Sequence, residues 1–136
     1  MNSRERLTRT LNHQGTDRIV LDLGSSATTG IHVKIVEELW DYYGLEKRSV
    51  RVVEPFQMLG EVDQELIDVM GIDVVPLWGK YNLFGFDNNA PFKSFKTFWG
   101  QEVLIPAGFN TRIAYSNDET QREQWPNHVS GFQGGQ

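Results

Sequence analysis

The feature that most constrains this chain is an alternation of short apolar runs with segments of helical period. Ile19-Val20-Leu21-Asp22-Leu23 is nearly continuous in apolar residues, as a strand buried on both faces would be. Val50-Arg51-Val52-Val53, and Ile72 to Leu77 with Pro76 near its end, read as a second and a third strand. Helical patterns separate them. From about Ile31 to Tyr43, Val33, Val36, Trp40 and Tyr43 recur on one face, and Gly44 follows as the stop. From about Gly60 to Met70, Val62, Leu66, Val69 and Met70 are expected to face inward, with Gly71 ending the helix. The order β-α-β-α-β with short connections implies parallel strands joined by right-handed crossovers.

The flanks differ from this core pattern. A helix is expected from about Ser3 to Gln14, capped by Asn2 with Glu5 reaching back, burying Leu7 and Leu11 and stopping at Gly15. After the third strand, Gly79 to Pro91 is a loop rich in Gly, Asn and aromatic residues. Phe95 to Trp99 and Glu102 to Ile105 flank Gly100-Gln101, a two-residue Gly-X link suited to a type II′ hairpin. Thr111 to Tyr115 would add a third antiparallel strand. The polar stretch 116–136 is expected to be a disordered tail, leaving 1–115 as the folded domain. Parallel sheets need both faces covered and their edges managed. The pattern therefore reads as an unfinished wall: either the chain continues in nature, or it pairs with something else, self-association through sheet edges included. A small three-strand domain closed off by the hairpin is the alternative.

Charge and composition narrow the partners. The net charge of −5 argues against a nucleic-acid surface, which needs clustered Lys and Arg. There are no cysteines, so neither disulfides nor thiolate metal ligands are available. The charged start MNSRERLTRT lacks the apolar core of a signal peptide. No apolar run approaches the roughly 18 residues of a membrane span. A cytoplasmic location is the expectation.

Ligands of open α/β sheets and barrels bind at the carboxyl ends of strands. This points to Asp22 with the Gly24 to Gly30 loop, to the Glu54 to Gln57 turn, and to the residues after Leu77. The loop precedes a helix N-terminus, where anions are favoured, but it matches neither a Walker A loop nor G-x-G-x-x-G. Candidate substrate-binding residues are Asp22, Ser25, Ser26, Thr28, His32 and Gln57. Each carries a plainer reading. Asp22 interrupts an apolar strand, where burial demands either a substrate contact or a hydrogen-bonded structural role. Thr28 and Thr29 suit a cap or turn. His32 is either a proton donor near Asp22 or a capping histidine. Arg18 and Arg51 are placed to pair with acids. Trp78, Tyr81, Phe84 and Phe86 form either a hydrophobic plug or a cofactor face. His13 is expected to face solvent, and His128 carries no assignment. No metal-ligand spacing, Ser-His-Asp set or paired-carboxylate pattern stands out, so catalytic residues are not readable.

Several segments together resemble the uroporphyrinogen decarboxylase superfamily. Ser3-Arg4-Glu5-Arg6, Leu11-Asn12-His13-Gln14 and Thr16-Asp17-Arg18-Ile19 are similar to its common opening. Leu21 to His32, Arg51 to Leu59, Gly71 to Leu77 and Gly100 to Asn110 resemble one branch of it, so the likeness spans about residues 3 to 113. The resemblance implies the N-terminal part of a (β/α)8 TIM barrel with an inserted antiparallel β-hairpin. It implies one of two activities: cofactor-free decarboxylation of a tetrapyrrole's acetate side chains, or methyl transfer between a corrinoid and a thiol, often with zinc. The decarboxylases' Arg-Gln-Ala-Gly-Arg loop should follow the first strand, where this chain has Gly24-Ser25-Ser26-Ala27-Thr28-Thr29-Gly30. That departure favours the methyltransferase branch, whose zinc ligands, a His-x-Cys and a later Cys, belong to the far end of the barrel. A barrel needs about 250 residues and the chain has 136, so the expectation is an N-terminal fragment, inactive alone. A non-catalytic α/β module or remnant is the remaining alternative.

Overall fold

Local capping accounts for where the helices begin and for where two of them end, whereas the first stops at Leu11, short of the expected Gly15. In a computed structural model that describes residues 1–82 and 85–109, α1 runs Ser3–Leu11, and the Asn2 side chain accepts the Glu5 amide at 2.8 Å. Helix α2, Val33–Tyr43, starts at His32 and stops at Gly44, which takes the left-handed conformation (φ 67°) that glycine adopts without steric cost. Helix α3, Gln64–Met70, starts at Asp63, whose carboxylate accepts the Leu66 amide at 3.0 Å. The expected Thr111 to Tyr115 strand, the polar tail, Phe84 and His128 lie outside the described residues.

The fold is mixed α/β and divides after Leu77 into two units. In the first, strand β1 (Val50–Glu54) lies antiparallel to the two-residue strand β2 (Leu59–Gly60), with Val52 opposite Gly60 and Glu54 opposite Leu59. The other side of β2 meets the entry to α2: Val33 N–H reaches the Met58 carbonyl and Gly60 N–H the Ile31 carbonyl, both at 2.9 Å. Val33, Val36, Trp40, Val50, Val52, Leu59, Val62 and Leu66 form the core. Gly60 lies where β2 packs tightly between α2 and β1. A Cβ there would fall 2.8 Å from both Val36 and Val50, so a larger residue would push helix and strand apart.

Strand β2 is a departure from the expected β-α-β-α-β order, in which residues 60–62 open a helix. The backbone turns back at Met58, held in the left-handed region (φ 56°), and β1 pairs with its own continuation. The two outer apolar runs do meet in parallel, through a bridge between Asp22 and Val74. They form no longer ladder among the described residues, and Ile19, Val75 and Leu77 are exposed rather than buried on both faces. Val69 is exposed as well, since α3 turns chiefly Leu66 inward.

Helix α1 departs further. Leu7 is half-buried and Leu11 exposed, while the residue it buries is Arg6. The Arg6 guanidinium is compensated on several sides: it donates to Asp17 from Nε (2.7 Å) and Nη2 (3.0 Å), to Asp73 from Nη1, and to the Met1 carbonyl. Arg18 also donates to Asp73, at 2.6 and 3.0 Å. A buried arginine is stable only when paired and hydrogen-bonded in this way. The hydrogen bond from Arg6 holds the Asp17 carboxyl well below the usual carboxylate range, and Arg6 itself is raised. For Asp73, burial works to raise the carboxyl. Hydrogen bonds from the Leu21 amide, Arg18, Ser3 and Arg6 outweigh it and leave the group well below its ordinary value.

In the second unit, strands β3 (Phe92–Lys96) and β4 (Glu102–Pro106) form an antiparallel hairpin in register from Phe92–Pro106 to Lys96–Glu102. The link is not the expected two-residue turn at Gly100-Gln101. Thr97 and Gln101 close a three-residue loop, Phe98-Trp99-Gly100, with Gly100 left-handed (φ 90°) as its last residue. Phe86 packs edge-on against Phe109, whereas Trp78 and Tyr81 are largely exposed, so these two do not form the expected plug. No helix among the described residues is long and apolar enough to cross a membrane.

Candidate functional site

The polar loop after the first parallel segment is organised by one carboxylate. Half-buried Asp22 accepts the Ser25 hydroxyl at 2.7 Å, the Ser25 amide at 3.3 Å and the Thr29 hydroxyl at 3.1 Å. Thr29 is the hub of the loop. Its Oγ1 also accepts the Ser26 amide (3.3 Å) and lies 3.4 Å from the hydroxyls of Ser25 and Ser26. The loop closes where the Gly24 amide donates to the Thr29 carbonyl at 2.8 Å. Gly24 is required there: its φ is 84°, and a Cβ would lie 2.6 Å from the Val62 side chain.

A second turn is built the same way. Glu54, buried at the end of β1, accepts the Phe56 amide at 2.9 Å and the Gln57 amide at 2.7 Å, one on each carboxylate oxygen. The two turns are tied together, because the residues leaving the Asp22 loop (Ile31 to Val33) pair with Met58 to Gly60, directly after the Glu54 turn. A Cβ at Gly30 would fall 2.5 Å from a Leu59 methyl, so a larger residue there would make that side chain shift.

Of the residues expected to bind substrate, the structure joins Asp22, Ser25 and Ser26 in one network, with Thr29 as a member that the sequence suggested only as a cap. Thr28 is exposed and outside that network. His32 caps α2: its Nδ1 accepts the Lys34 amide at 3.2 Å, which puts the proton of a neutral ring on Nε2. Gln57 engages Glu54 through its backbone and is itself exposed, as is Phe56 beside it. Glu54 was legible as part of a strand-end turn, but not as the group that holds it. His13 faces solvent as expected. Arg18 pairs with Asp73, and Arg51 with Glu61 at 3.5 Å.

Chemically, the exposed side chains of the two turns are neutral hydroxyls, an amide and an aromatic ring. The two carboxylates are occupied in holding those turns. Among the described residues no group of three or more His, Asp or Glu side chains is arranged to hold a metal ion, and the chain has no cysteine. The described residues therefore do not fit a zinc centre. No family model matches the chain, and neither a curated protein nor a solved structure does.

Proposed function

We propose that this chain forms the opening β/α portion of a uroporphyrinogen decarboxylase superfamily enzyme, nearer its corrinoid-linked methyltransferases, and that it does not turn over substrate alone. The observation that carries the reading is the parallel bridge between Asp22 and Val74. Folds that alternate strand and helix bring strands together in parallel, and a barrel's active site is assembled from the loops at their carboxyl ends. Here the bridge joins the first and third expected strands, because the second pairs antiparallel with β2. The Asp22 loop leaves from such an end. The Arg6, Asp17, Arg18 and Asp73 cluster gathers where the two segments begin, the face on which a barrel keeps its stabilising contacts. In this reading Ser26, Thr28 and Gln57 meet a small-molecule or tetrapyrrole-type substrate, while Asp22, Ser25 and Glu54 hold the turns in shape. Zinc ligands would come from barrel strands beyond these residues, and no step through the metal is derived.

A non-catalytic binding module is the second reading. It is favoured by the engagement of both Asp22 and Glu54 within their own turns, which assigns neither a proton to transfer.

Two experiments separate the readings. The coding sequence beyond the Gln136 codon is expected to continue in frame with a His-x-Cys and a later Cys, and an immediate stop would favour the module. The 136-residue chain, titrated with aquocobalamin and with coproporphyrin and followed by absorbance, is expected to bind both weakly or not at all. Tight coproporphyrin binding would favour the tetrapyrrole decarboxylases.

A further inference from the structure

We draw no further inference here: the strongest candidate, the exposed apolar row of Ile19, Val75 and Leu77 along the two bridged segments of the first unit, carries nothing because no feature among the described residues shows what covers it.

Discussion

Asp73 and Leu21 bind each other twice: the Asp73 amide donates to the Leu21 carbonyl at 2.8 Å, and the Leu21 amide donates to the Asp73 carboxylate at 3.0 Å. One residue thus completes the parallel contact with its backbone and pairs with two arginines through its side chain, which is fully buried. Replacing it with asparagine keeps the shape and removes the charge. Arg6 keeps Asp17 as counter-ion, but it and the more exposed Arg18 lose charge-assisted bonds to Asp73, so Asp73→Asn should lose about 2 kcal/mol. Urea unfolding should show this as a lower midpoint, while Glu38→Gln, from the exposed pair with Lys34, should leave the midpoint where it is.

The same cluster sets the response to acid. Asp17 and Asp73 titrate below the ordinary carboxylate range when folded, so the unfolded chain takes up protons first as pH falls. Their contribution is fully present above about pH 4, near the unfolded value, and is lost as pH drops through the lower folded values. The melting temperature followed by circular dichroism should show no loss from this cluster between neutral pH and about 4, then fall steeply below it. In Asp73→Asn the acid-side fall should be shallower, because one of the two linked carboxylates is gone. A wild-type curve without a fall below pH 4 would remove the cluster from the account of stability.

His32 separates a capping role from a chemical one. Asparagine keeps a side-chain acceptor at the start of α2, and alanine does not. Loss of an N-cap costs about 1 kcal/mol, so His32→Ala should be destabilised by that amount and His32→Asn by no more than a few tenths. Thermal melts of the two variants read this directly. If His32 also serves the reaction in a complete barrel, His32→Asn should fold normally there and still lose turnover.

How far the fold was legible follows from the range of each interaction. Three helix limits were local, with Asn2, Gly44 and Gly71 acting within a turn of their own positions, but α1 ends at Leu11 with Asn12 as its cap and His13 left-handed (φ 56°), short of the expected run to Gln14 and stop at Gly15. The Asp22 loop was local as well, since Ser25 and Thr29 lie only three and seven residues away. Strand β2 was not, because nothing in Leu59-Gly60 resembles a strand. It is one because Met58 reverses the chain and Gly60 fits against Val36 and Val50. Burial of Arg6 depends on Asp73, 67 residues away, and helical periodicity cannot register such a partner. Gly100 announced a turn, but not that Thr97 would close it.

That closure makes the last prediction specific. Thr97 is buried, and its hydroxyl both donates to the Gln101 carbonyl and accepts the Gln101 amide, each at 3.0 Å. Valine has nearly the same shape and makes neither bond. Losing the pair in a buried setting should cost about 2 kcal/mol, which speeds exchange of the Gln101 amide about 30-fold if local opening governs it. Thr97→Ser keeps the hydroxyl and should stay close to wild type. Hydrogen exchange followed by NMR distinguishes the three proteins at a single amide. Equal protection in Thr97→Val would mean that the backbone bond from the Thr97 amide to the Gln101 carbonyl, at 2.9 Å, holds the loop without help.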